Sequence, residues 1–288
     1  MFQFLFPILG IALSAVFSAT PDKPAAHDAP PQAAIVPVNT FATPVRLSAT
    51  LPDSILRAEQ AAAVNIDYTP GDEKTWYFDG DGAPVDKATA GGYYRVVLGK
   101  TADGRSVIQD FYQDSGRPQT APVILKKDAE QHDFDSSTSD SKIVWFREDG
   151  SVLATQDYKG GVDLGRGNFY QNGILAAQTA LPFDVATEAD DPFAAVGEVS
   201  RGNRYYYPDG KIMAFEYIED ADNFELLYYR ADGSPLLHRR SNDEGRGNGS
   251  STWNADGGYA VQEEVQPEID AVTARIDELT FAMRTEQP

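Results

Sequence analysis

The residues able to do chemistry in this chain are few and scattered. Of 288 residues only three are histidines, His27, His132 and His238, and no two stand at a spacing that would hold a metal ion. A serine hydrolase would need one of them as its base, and the chain has no G-x-S-x-G elbow. His238 stands beside Arg239 and Arg240 and reads as an exposed strand residue. Cysteine is absent, which removes thiol nucleophiles, thiolate zinc sites, disulfides and a cysteine-borne lipid anchor. The glycine-rich stretches at 165–168 (GRGN) and 245–249 (GRGNG) lack the P-loop pattern and read as loops.

Carboxylates remain. They gather as Asp133, Asp135 and Asp140, as Asp190 and Asp191, and as Glu219, Asp220, Asp222 and Glu225. Oxygen ligands of this kind suit calcium, but none of the groups matches a twelve-residue calcium loop, and 79–82 (DGDG) lacks its closing glutamate. They read as solvated acidic loops. A carboxylate pair for glycoside hydrolysis is defined by distance in space, and sequence spacing neither offers nor removes one. The residues therefore call for no cofactor and no metal, and point away from an enzyme.

The charge balance says what kind of partner fits. With 44 acidic against 24 basic side chains the net charge is −20. Nucleic acid is a poor partner, because binding it requires Lys and Arg to displace counterions from phosphates. A neutral or basic partner is expected. Residues 1–19 are apolar, uncharged and closed by small residues, which reads as a signal peptide cut after Ser18 or Ala19. The expected compartment is the periplasm or the exterior, or the membrane surface if 1–19 stays as an anchor. The stretch is short for a spanning helix, and no other integral membrane segment is expected.

Six prolines in 20–48 make that stretch an extended tether. Residues 49–67 recover apolar content and predict a cap with a short helix over 53–63, set over the first open strand edge. From 68 to 262 the chain repeats. Seven glycines, Gly82, Gly116, Gly150, Gly173, Gly210, Gly233 and Gly257, each follow Asp, Asn or Ser. Four positions before each stands an aromatic: Phe78, Tyr112, Phe146, Phe169, Tyr206, Tyr229 and Trp253. Asp-Gly and its relatives supply the positive φ of a reversing turn. Each unit is thus a β-hairpin, with a basic period near 23 residues, and Asp103-Gly104 reverses the chain at the opposite rim. Longer spacings mark insertions at 132–141 and 181–202. In 263–288, Ile269, Val272, Ile276, Leu279 and Met283 recur at three and four residues, which is one face of a helix capping the last repeat. The fold class expected is mainly β: an antiparallel, elongated meander of repeated hairpins with a C-terminal capping helix.

The doublets before the turns, Trp145-Phe146 with Asp149-Gly150, Phe169-Tyr170 with Asn172-Gly173, Tyr205-Tyr206 with Asp209-Gly210, and Tyr228-Tyr229 with Asp232-Gly233, resemble the MORN-variant repeat. The resemblance covers about 75–262. Bacterial proteins with such repeats include antitoxin-like, immunity-like and envelope proteins. With the export signal, the lack of a catalytic set, and an acidic sheet with exposed aromatics and two insertions, the expectation is an exported binding protein that neutralises a secreted toxin or effector by occlusion. A structural envelope protein is the alternative, and a carboxylate-dependent hydrolase the less favoured third. The residues expected to touch a protein partner are Phe183, Asp190, Asp191, Phe193, Tyr205, Tyr207 and Tyr228.

Overall fold

The computed structural model describes residues 41–286 except 166, 180–192, 194–195, 197–198, 200–201, 221 and 243–247. The sequence readings for 1–40, and for Phe183, Asp190 and Asp191, lie outside the described residues.

The repeats form an antiparallel meander in two sheets. The first has five strands: β1 (Thr69–Phe78), β2 (Pro84–Val85), β3 (Tyr93–Lys100), β4 (Ser106–Tyr112) and β5 (Val123–Ile124), in the order β2-β1-β3-β4-β5. The second has ten. It runs from β6 (Lys142–Phe146) through β7 (Val152–Lys159), β9 (Gly167–Gln171), β10 (Ile174–Thr179) and β11 (Asn203–Tyr206). It ends with β12 (Ile212–Ile218), β13 (Phe224–Tyr229), β14 (Pro235–Ser241) and β15 (Gly249–Thr252), while β8 (Val162–Asp163) pairs only with β7. Residues 119–121 join the sheets. Gln119 N–H donates to Asp110 O on β4, and its carbonyl accepts from Phe146 N–H on β6 (both 2.8 Å).

The turn chemistry explains the hairpins. All seven repeat glycines have positive φ, between 65° and 91°. At Gly82, Gly150, Gly210, Gly233 and Gly257 the turn is three residues long, with the glycine closing a type I turn as a bulge. An example is Tyr207 N–H to Lys211 O with Gly210 N–H to Tyr207 O. At Asn172-Gly173 the turn has two residues, both at positive φ (52° and 75°), between the paired Gln171 and Ile174. Gly104 turns the chain at the other rim, as its sequence predicts.

The aromatic doublets are split by the alternation of strand side chains. The first ring of each pair joins a row in register: Trp145, Ala154, Phe169, Ala177, Tyr205, Ala214, Tyr228 and Leu237. Rings on incoming strands alternate with alanines on outgoing ones, except that Leu237 takes the alanine's place on β14. The second ring, as in Tyr170, Tyr206 and Tyr229, enters the core on the opposite face. The two-residue turn shifts the count by one, so Tyr170 and not Phe169 matches Tyr206 and Tyr229.

Each face has its own cover. Helix α3 (Gln262–Thr285) lays Val265, Ile269, Val272, Ile276, Leu279 and Met283 on the first-ring face. Rather than capping only the last repeat, it crosses the sheet: Glu268 pairs with Arg230 after β13, and Glu286, just past the helix, pairs with Arg147 after β6. A sheet apolar on both sides needs this whole length of cover. The opposite face receives a strap, residues 41–61, with the short helices α1 (Asp53–Leu56) and α2 (Ala58–Ala61) in place of one helix. Leu47, Leu51 and Leu56 enter the core beside Tyr206, Phe215 and Tyr229, together with Phe193 and Val199 from the second insertion. The strap thus covers a face of the large sheet, not the first strand edge.

Candidate functional site

One residue per repeat builds the rim that joins the covers to the sheet. It directly follows the doublet: Arg147, Gln171, Tyr207 and Arg230. Arg230 donates through Nη1 to Pro235 O and through Nη2 to Trp253 O on the next unit (both 2.8 Å), while Nε meets Glu268 Oε2 at 2.5 Å. Arg147 repeats this with Val152 O, Tyr170 O and Glu286. Tyr207 donates its hydroxyl to Tyr229 O (2.9 Å), and Gln171 accepts from Arg275 of α3 (2.5 Å). The bonds from Arg147, Tyr207 and Arg230 to the next unit's backbone reach 22 or 23 residues along the chain, the repeat period itself.

The strap reads the same turns in reverse order. Arg46 donates to Asp232 Oδ2 and to Ala255 O (both 3.0 Å), Leu47 N–H to Gly233 O (2.9 Å), and Ala58 N–H to Gly173 O (3.0 Å). Thr50 bridges Lys211, and Lys142 Nζ reaches Ala61 O (3.0 Å). At the start of the strap, Phe41 stacks on His238 (centroids 4.0 Å apart), whose Nε2 lies 2.7 Å from Glu225. Arg240 donates to the same carboxylate (2.5 Å). Despite burial, these two hydrogen bonds hold the Glu225 carboxyl below its usual range. His238 is therefore half-covered and paired, not an exposed strand residue.

All seven turn tips lie on one rim. In a meander, tips on one rim recur every two strands, about 9.5 Å apart. Asp149, Asp209, Asp232 and Asp256 stand there, each accepting the backbone N–H two residues on, at 2.8–3.1 Å. Hydrogen bonds from Ser234 hold Asp232 at about 2, and those from Ser151 lower Asp149 likewise, so both stay ionised.

Elsewhere, buried carboxylates serve packing. Asp110 is bidentate with Arg95 (2.7 and 2.9 Å), and Arg95 also donates to Gln131 O and Asp133 O, which draws the first insertion onto the small sheet. Phe134 of that insertion stacks on Phe78 (4.4 Å). Burial pushes Asp163 up to about 6 and Glu216, beneath α3, up to about 7. Glu216 accepts from Tyr228 Oη (3.1 Å). It lies between sheet and helix instead of in a cleft, which is the opposite of what a hydrolase carboxylate needs. Among the described residues no three His, Asp or Glu side chains gather as a metal site, and no helix is long and apolar enough to cross a membrane.

The contact residues read from the sequence fare as follows. Phe193, Tyr205 and Tyr228 are buried core residues, 0%, 3% and 4% exposed. Tyr207 is half-buried and spends its hydroxyl on the next repeat. Their aromatic character signals the two faces of the sheet, not a surface. The rim residues Arg147 and Arg230 escaped sequence reading, although each stands directly after a doublet. No family model matches the chain, and neither a curated protein nor a solved structure matches it.

Proposed function

We propose that this is an exported, non-enzymatic binding protein of the periplasm or exterior, which occludes a basic protein partner as immunity proteins and antitoxins do. The observation that carries the proposal is the turn rim: both faces of the large sheet are occupied by α3 and the strap, while the rim offers turn carboxylates, about 9.5 Å apart from Asp209 to Asp232 to Asp256, with the Asn172 turn between Asp149 and Asp209. An array of ionised carboxylates steers a basic partner and penalises an acidic one. The likeness of the doublets to MORN-variant repeats supports the same reading. The alternative, a structural envelope protein, draws support from the continuous hydrogen bonding from β2 to β15.

The test is a pull-down with residues 20–288 as bait against the secreted fraction of its own source and of close relatives. A single stoichiometric basic partner, lost when Asp149 and Asp256 are changed to Lys, is the expected result. Recovery of abundant envelope components alone would replace this reading with the structural one.

A further inference from the structure

Most of the α3–sheet interface is apolar, but at its centre lies a carboxyl group. Glu216 on β12 is 9% exposed. Its hydrogen-bond donors are tyrosine hydroxyls: Tyr228 from β13 at 3.1 Å and Tyr205 from β11. The groups facing this cluster from α3 are Thr273, Thr280 and Asp277. Among the described groups acting on Glu216 none is a cation, and Asp277 carries like charge. Three other anchors of the helix segment involve different groups: Glu268 on Arg230, Glu286 on Arg147 and Arg275 on Gln171. A carboxylic acid suits this place and a carboxylate does not, since charge without a counterion is poorly solvated there.

We infer that α3 is a pH-sensitive cover: with Glu216 protonated it is held firmly, and towards neutral pH its grip on the Tyr205–Tyr228 face weakens. The sign follows from linkage. Once α3 lifts, Glu216 meets water and titrates near its ordinary 4.5, whereas beneath the helix it titrates near 7. The docked state is therefore fully favoured below about pH 4.5, loses about tenfold per pH unit up to about 7, and is level above that, roughly 300-fold in all. The inference does not depend on the identity of any partner.

Amide hydrogen exchange of the full chain tests it, with opening constants corrected for the intrinsic pH dependence of exchange. Amides of Val265–Met283 are expected to open about 100-fold more at pH 7.5 than at pH 4.5, where Glu216 of the lifted state is already half-ionised. They should open more readily than amides of β12 and β13, which exchange only when the sheet unfolds. In Glu216→Gln, and in Glu216→Leu as a second variant, the α3 rise should vanish. An α3 opening constant level across this range in the wild type overturns the inference. So does a rise that survives in both variants, or an α3 opening constant equal to that of β13 at every pH.

Discussion

Replacing Gly233 by alanine separates the contribution of the strap from that of the turn. Gly233 and Gly257 occupy the same position in the same three-residue turn, at φ 80° and 91°. An alanine at either meets the strain of the left-handed region, about 1 kcal/mol. At Gly257 the added Cβ meets nothing within 4 Å, so that strain is the whole effect. At Gly233 it lands 2.0 Å from Leu47 O and 2.8 Å from Leu47 C, both backbone atoms of the strap. The strap must move, losing the Leu47 N–H to Gly233 O bond (2.9 Å) and the burial of Leu47. A hydrogen bond of this kind contributes about 1 kcal/mol and a buried leucine about 2 kcal/mol. Gly233→Ala should thus cost about 3 kcal/mol more than Gly257→Ala. Gly210→Ala falls between them, because its Cβ meets only the Leu56 side chain, at 2.8 Å. Urea unfolding gives the three free energies, and exchange at the Leu47 amide reports whether the strap has lifted. Equal losses at Gly233 and Gly257 would refute the account of the strap as a bound cover.

Two further substitutions probe the rim and the joint between sheets. Arg230→Met removes the donors to Pro235 O, Trp253 O and Glu268 while keeping much of the apolar stem; it should cost about 2 kcal/mol by urea unfolding. Arg230→Lys should recover little of it, since a point charge cannot satisfy the fork, and full recovery would reduce Arg230 to a charge. Gln119 is fully buried, and neither amide atom has a hydrogen-bond partner among the described residues. Gln119→Met keeps the volume and removes the unmet polar group, so a gain of about 1 kcal/mol is expected in the same assay. A loss of stability would show that the amide is satisfied.

Much of the architecture was legible in the residues. Asp-Gly and Asn-Gly demand positive φ at a reversing turn, and the apolar spacing from Ile269 to Met283 admits only a helix with one buried face. What no local pattern states is the cover on each face. Arg46 meets Asp232 across 186 residues, Phe41 meets Ser251 across 210, and Arg147 meets Glu286 across 139. Those pairings decided that Tyr205 and Tyr228 are core rather than surface, and that Glu216 sits without a counterion. The sequence by itself determined the repeat, the turns and the amphipathic helix, since each depends on neighbours within a few residues. Only the tertiary structure decided burial, and with it the raised carboxyls of Asp163 and Glu216, since burial depends on segments that approach from far along the chain.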